Sequence, residues 1–244
     1  MKKYALVTTY YCNGCSEPSN EYLKSKFNFD GDEKDIYVNF SNEFDPFKMD
    51  KIPFVGVTRR RDLVYGKIFL LKKFIKNNIL GKYEYVIHID FGDTKFSRSC
   101  NDMVEKFIET DQNIIISTEK NCWPYLESVQ KWTSKILTNE EFSFLNSGAI
   151  ISKTDVFYQI LETLEKICLT SDLDFWDDQG VWQYYHLNVQ ELNLDKTCDL
   201  FFSTGLLDNS YYSIENNTII TKFKTKPYLI HDNSSFSLNL TKQI

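Results

Sequence analysis

The stretch that most constrains this chain is Tyr85-Val-Ile-His-Ile89, almost wholly apolar and stopping at Asp90-Phe-Gly-Asp93. A half-buried strand alternates apolar and polar residues, whereas an unbroken run fits a strand covered on both faces. Such strands form the middle of parallel sheets layered with helices. In open α/β sheets, ligands bind at the carboxyl ends of the strands. The two carboxylates that end this run therefore stand where chemistry is expected.

The flanking segments fit that frame. Tyr4–Thr9 reads as a first strand, and residues from about Ser16 to Lys26 as a helix. Asp30-Gly-Asp32 has turn chemistry and precedes a second strand, Asp35–Phe40. Gly66–Asn78 is an amphipathic helix, with Ile68, Leu70, Leu71 and Phe74 set among lysines. Asn101–Thr110 follows as a helix and Asn113–Ser117 as a strand. Phe142–Ser152 reads as a strand pair turning at Asn146-Ser-Gly148. Thr154–Leu169 and Asp177–His186 read as helices, and Leu200–Phe202 and Thr218–Thr221 as strands. The first half alternates strand and helix, which implies a mostly parallel sheet flanked by helices; the second half is mixed. No repeat, linker or low-complexity stretch divides them, so residues 1–244 read as one α/β domain.

Composition narrows the function. With 42% hydrophobic and 25% charged residues in 244, a sizeable core is expected. Aromatic residues, at 16%, supply flat surfaces for sugars and bases as well as core volume. A net charge of −6 argues against nucleic acid as a partner. A small phosphorylated ligand can still bind such a chain when a divalent cation lies between them. No apolar run approaches the roughly 18 residues of a transmembrane segment. The apolar run after Met1 is short, with no cleavage site behind it, so the expectation is a soluble, cytoplasmic protein. The six cysteines are scattered, which argues against a disulfide scaffold. Cys12-Asn-Gly-Cys15 has zinc or redox spacing but no second ligand pair, and it reads as free thiols in a turn.

Four segments carry candidate chemistry, each with a plainer alternative. Asp90 and Asp93 offer hard oxygen ligands for Mn²⁺ or Mg²⁺, and an acidic turn capping the next helix would look the same. Asn146, Ser147 and Gly148 offer hydrogen bonds and a close approach to backbone, or form an ordinary hairpin turn. Phe175-Trp-Asp-Asp-Gln-Gly180 mixes carboxylates, an amide and an indole, as sugar sites do; capping by Asp177 is the alternative. His231 closes an apolar strand and is either a third metal ligand or a satisfied polar residue.

Seven short pieces occur here in one order: Gly66-Lys-Ile-Phe-Leu-Leu-Lys72, Ile89-Asp-Phe-Gly-Asp93, Asn121-Cys-Trp-Pro124, Phe144-Leu-Asn-Ser-Gly148, Asp177-Asp-Gln179, Leu194-Asp-Lys-Thr-Cys-Asp-Leu-Phe201 and Ile230-His-Asp-Asn233. In them the chain resembles the glycosyltransferase domain of procollagen lysyl hydroxylases and their viral and microbial relatives. The resemblance spans roughly Val55 to Asn233. It implies a Rossmann-like fold of the glycosyltransferase A type, a UDP-sugar donor, a glycan or protein acceptor, and transfer with retained anomeric configuration. It implies that Asp90, Asp93 and His231 bind Mn²⁺. Lys67 would lie near the donor nucleotide, with Thr8 or Thr9 contacting uridine. Asp178 and then Asp177 are the candidates to act beside the transferred sugar, with Gln179 nearby and Trp123 at the acceptor rim. Residues 1–117 would form mainly the nucleotide-sugar half and 118–244 mainly the acceptor half.

The chain departs from the family at Ala149, where a second glycine is common, and at Asp232-Asn233-Ser234, where Gly-Asn-Gly is usual. Two competing readings are a nucleotidyltransferase and a non-catalytic carbohydrate-binding protein. The first needs a Gly-rich basic loop after the first strand, and Thr9-Tyr-Tyr-Cys-Asn-Gly-Cys15 is not one. The second predicts loss of the acidic residues, yet Asp90, Asp93 and Asp178 are all present.

Overall fold

The computed structural model describes residues 2–11, 15–41, 61–123, 141–171, 175, 177–216 and 218–233. Cys12, Pro124 and Ser234, singled out above, lie outside the described residues.

A six-stranded sheet forms the centre, in the order β2-β1-β3-β6-β5-β7. Its strands are β1 (Lys2–Tyr11), β2 (Ile36–Ser41), β3 (Tyr83–Asp90), β5 (Ile114–Glu119), β6 (Phe144–Lys153) and β7 (Asn193–Leu194). β1 runs parallel to β2 and β3, and β5 parallel to β7, while β6 runs against both β3 and β5. The chain moves from β1 outward to β2, then returns past β1 to β3. That reversal puts a crevice at the carboxyl ends of β1 and β3, the usual ligand position in such sheets.

The unbroken apolar run behaves as its composition demands. In β3, Tyr85, Ile87 and Ile89 join one core cluster, with Leu6, Phe27 and Phe107, while Val86 joins the other, with Ile68, Leu161 and Trp182. Helices cover both faces: α1 (Asn20–Phe27), α2 (Arg61–Asn78), α3 (Cys100–Glu109), α4 (Thr154–Thr170) and α5 (Asp178–Asn188). α2 begins earlier than its apolar pattern suggests and contains a π-helical stretch, Tyr65–Leu70, around Lys67. Such widened turns re-aim side chains and cluster at functional sites.

A second, three-stranded sheet has the order β4-β11-β8: β4 (Thr94–Phe96), β11 (Leu229–His231) and β8 (Phe201–Ser203). The hairpin of β9 (Tyr212–Glu215) and β10 (Thr218–Thr221) packs Tyr211 and Ile219 beside Phe142 and Phe202. No helix among the described residues is long and apolar enough to cross a membrane.

Two sequence expectations are corrected here. Phe142–Ser152 is not a hairpin: Asn146-Ser-Gly148 lies inside the continuous strand β6, and the polar side chains there bond to neighbouring elements instead of closing a turn. Cys15 is disulfide-bonded, so its sulfur is neither a free thiol nor a zinc ligand. The turn expected at Asp30-Gly-Asp32 is present and structural. Asp30 Oδ1 accepts from the Cys100 N–H at the start of α3, and the ring of Phe29 fills the space beside Gly31.

Candidate active site

Three strand ends meet at the carboxyl edge of the main sheet. β3 ends at Asp90. β6 runs the other way, so its beginning, Asn146 to Gly148, lies at the same edge. β11 pairs with β4, setting His231 opposite Thr94, and the Asp232 N–H donates to the Asp93 carbonyl at 2.7 Å. The turn that carries Asp93 is therefore fastened to the strand that carries His231.

Asp90, Asp93 and His231 converge, with one ligand atom from each lying within 4.8 Å of the others. His231 Nε2 stands 3.4 Å from Asp93 Oδ1 and 3.7 Å from Asp90 Oδ2. Its Nδ1 lies 2.9 Å from Asn146 Oδ1, which also accepts from the Gly148 N–H at 3.0 Å. That oxygen can only accept, so Nδ1 carries a hydrogen and Nε2 is the nitrogen that faces the carboxylates; burial opposes charge on the ring, but Asp93 and Asp90 outweigh it and raise its pKa. Nε2 is buried and has no hydrogen-bond partner. One imidazole nitrogen and two carboxylates, aimed at one point with the nitrogen otherwise unsatisfied, are a donor set that fits a divalent cation.

Gly148 has a use beyond the one expected. A Cβ there would meet His231 Cε1 at 2.0 Å, so the missing side chain makes room for the imidazole.

Lys67 lies between two carboxylates, 2.7 Å from Asp90 Oδ1 and 3.6 Å from Asp178 Oδ2. Burial works against its charge, but Asp178 and Asp90 more than offset that and raise its pKa, so it stays an ammonium. Burial also opposes the Asp90 charge, yet Lys67 and His231 hold that carboxyl at about 2.

At the start of α5, Asp177 is the N-cap. Its Oδ1 accepts from the Gly180 N–H at 3.0 Å, and its Oδ2 accepts from the Trp123 indole at 3.0 Å. The capping alternative thus holds for Asp177, whose two oxygens are both engaged. Asp178 is almost fully buried and accepts from the Ser147 hydroxyl at 2.9 Å. Burial pushes both carboxyls up, Asp177 to about 6.

Gln179 accepts from the Ser147 N–H at 3.3 Å and donates to Glu119 and to the Trp123 carbonyl. Glu119, at the end of β5, also draws the amides of Asn233 and Asn146. Burial pushes its carboxyl up to about 7. The sequence reading missed Glu119 because a bulge at Ser117 carries β5 two residues beyond the expected strand end. The position after an apolar strand, the logic that found Asp90, would have found it.

These residues line a cleft of about 620 Å³. The expected residues on its wall are Lys67, Asp90, Asp93, Trp123, Asn146, Ser147, Gly148, Asp177, Asp178, Gln179 and His231; Glu119, Asn121, Leu206 and Asn233 join them. Thr8 and Thr9 do not. Both lie within β1, where the Thr8 hydroxyl donates to the Ile89 carbonyl and the Thr9 hydroxyl accepts from Asn39. They serve the sheet because β1 runs on to Tyr11, past the expected strand end.

The chain is similar to known proteins in sequence and in fold. Human multifunctional procollagen lysine hydroxylase and glycosyltransferase LH3 is 25% identical over 183 residues, covering 71% of this chain and 24% of that protein. The rat protein of the same description is 22% identical over the same length. The chain thus spans about a quarter of the length of the curated relatives it matches. Among solved structures, the galactosyltransferase LgtC, in complex with donor and acceptor sugar analogues, superposes with a TM-score of 0.53 at 11% identity, covering 96% of this chain and 88% of its own. Mouse xyloside xylosyltransferase 1 gives 0.52 at 13% identity, covering 97% of this chain and 99% of its own. A glycosyltransferase involved in glycosylation of the PBCV-1 major capsid gives 0.52 at 8%, covering 98% and 97%. These likenesses show the fold, a mixed α/β architecture of the glycosyltransferase A type with a mostly parallel central sheet. The family model for the PLOD GT domain matches residues 64–243, and the chain belongs to that family of glycosyltransferase domains.

Proposed function

We propose that this chain transfers a hexose from a UDP-sugar to an acceptor hydroxyl, with a divalent cation, Mn²⁺ or Mg²⁺, held by Asp90, Asp93 and His231. The observation that carries the reading is the buried His231 Nε2, unpartnered and aimed between two carboxylates in a cleft. A cation held there would supply positive charge to a departing diphosphate.

The chain's own groups do the rest. Asn146 fixes the His231 ring through Nδ1. Lys67 keeps Asp90 ionised and adds a fixed positive charge on the donor side. Asp178, held by Ser147 and Lys67, is the carboxylate best set to steady charge on the transferred sugar. Asp177 positions: it caps α5 and fixes the Trp123 indole at the acceptor rim. Gln179 and Glu119 offer polar edges for sugar hydroxyls. Within one domain, residues 1–117 form mainly the donor half and 118–244 mainly the acceptor half, with His231 reaching across to complete the cation site.

UDP release from UDP-glucose and UDP-galactose, with Mn²⁺, Mg²⁺ or chelator, tests this. Asp90→Asn and Asp93→Asn should each lower metal-dependent release by about a hundredfold or more. Near-normal turnover in both variants, or release indifferent to chelator, refutes the assignment. Binding of a nucleotide sugar without turnover would favour a non-catalytic role.

A further inference from the structure

Leu206 is 50% exposed and lies on the wall of the cleft. Its φ is 58°, in the left-handed region that glycine, asparagine and aspartate tolerate and branched aliphatic residues resist. Asn28, Asp111, Cys198, Asn216 and Lys224 share that sign, but among the described residues Leu206 alone brings a branched aliphatic side chain there.

The loop is held from both sides. The Thr204 N–H donates to the His231 carbonyl at 3.0 Å, and the Thr204 hydroxyl to Asp232 Oδ1 at 2.6 Å. The Gly205 N–H donates to Asn233 Oδ1 at 2.7 Å, and the Asn121 amide donates to the Gly205 carbonyl at 3.1 Å. A Cβ at Gly205 would stand 2.9 Å from that Asn233 oxygen, so the close approach needs glycine. Leu207 then turns into the core beside Phe202. Glycine or asparagine would serve the backbone at position 206 better than leucine. Leucine adds strain there and leaves apolar surface in water, and neither helps the fold. Such an outlier, maintained beside a cleft, points to a ligand.

The cleft itself suggests the ligand. Its interior is polar, with Glu119, Asn146 and Gln179, while Trp123, 43% exposed, joins Leu206 in giving it an apolar part. The Trp123 ring is fixed by its bond to Asp177. A hexopyranose has matching sides: hydroxyls on its edge and a C–H face that packs against indole or aliphatic carbon.

We propose that Leu206 is a specificity-determining residue that, with Trp123, takes the C–H face of the acceptor's sugar ring. This rests on the sugar-transfer reading above. Because Asp232 and Asn233 follow His231 directly, the strand that completes the cation site also sets the position of this lip.

The test is UDP-release kinetics of the full chain with Mn²⁺, varying the donor and then a panel of p-nitrophenyl hexopyranosides as acceptors. Leu206→Asn keeps the left-handed backbone and removes the apolar side chain. It should raise acceptor KM about tenfold, against a change of less than about twofold in donor KM, with no fall in melting temperature. Leu206→Met, apolar again, should return acceptor KM to within about threefold of the parent. An acceptor KM in Leu206→Asn within about twofold of the parent, or an equal rise in donor KM, overturns the proposal. A parent chain that releases UDP but is accelerated by none of the glycosides overturns the sugar-ring assignment. A parent chain that releases no UDP from any donor overturns the transfer reading itself, and this proposal with it.

Discussion

Gly148→Ala adds one methyl group, and the structure says where it goes. The new carbon would stand 2.0 Å from His231 Cε1, 2.6 Å from Nδ1 and 2.7 Å from Nε2. Ordinary contact begins at about 3.4 Å, so one side must retreat by about 1.4 Å. The glycine cannot, because it lies within β6, which is hydrogen-bonded to β3 and β5. The imidazole must move, losing its 2.9 Å contact with Asn146 and swinging Nε2 away from Asp90 and Asp93. Metal–ligand distances hold to about 0.2 Å, so a shift of this size removes the nitrogen from any shared ion. Disturbing a ligand's support costs about 10- to 100-fold in metal affinity, or about 1.4–2.8 kcal/mol, and losing the ligand should cost at least that. Overpacking adds about 1–3 kcal/mol of lost fold stability. Calorimetric titration with Mn²⁺, beside denaturant melts, reads both effects. Gly148→Ala/His231→Ala should regain stability, because the clash is gone, but not affinity. A folded Gly148→Ala protein that binds Mn²⁺ within about twofold of the parent would refute the reasoning.

Two more outcomes follow from the buried charges. Lys67→Met leaves Asp90 and Asp178 facing each other without their shared cation. Removing one member of such a buried group costs about 3–5 kcal/mol. Urea melts should show that loss and its partial recovery in Lys67→Met/Asp178→Asn; equal stability in all three proteins would count against a shared charge network. Glu119 titrates at about 7 in the folded chain, raised by burial from its ordinary 4.5. The folded state therefore holds a proton that the unfolded state has released between those values, and stability falls as pH rises through that window. The swing is about 3 kcal/mol, and Glu119→Gln should remove most of it. Melts at pH 4.5, 6 and 7.5 compare the two; parallel pH profiles would show that Glu119 does not titrate there.

Much of the fold could be read from local pattern because parallel strands announce themselves. Tyr85–Ile89 needed burial on both faces, and β3 has it. β6 was harder. Its polar residues look like a turn, and only partners distant in sequence explain them: Asn146 meets His231, and Ser147 meets Asp178. Its direction was also hidden, since nothing local distinguishes a reversed strand inside a parallel sheet. That reversal matters, because it brings the first residues of β6, not its last, to the edge where β3 ends.

The site was legible to the degree that its residues end strands. Asp90 and His231 follow apolar runs and could be picked out singly, whereas their meeting depends on β4 pairing with β11, a contact no spacing reveals. Thr8 misled for the same reason that Asp90 did not: β1 runs two residues past its expected end at Thr9, and a hydroxyl read as facing a ligand is spent on the Ile89 carbonyl. Glu119 escaped in the same way, because a bulge carries β5 past its expected end. An error of two residues in a strand's end therefore changes which side chains face the cleft, while leaving the fold untouched. The chemistry of this chain is set by where strands stop, and strand ends depend on long-range partners more than on local propensity. Lys67 gives the same lesson from a helix. Its position on α2 was visible in the sequence, but the π-helical turn around it and the two carboxylates it joins were not. Substituting the partners, Asp90 or Asp178, should consequently disturb Lys67 more than any change along its own helix.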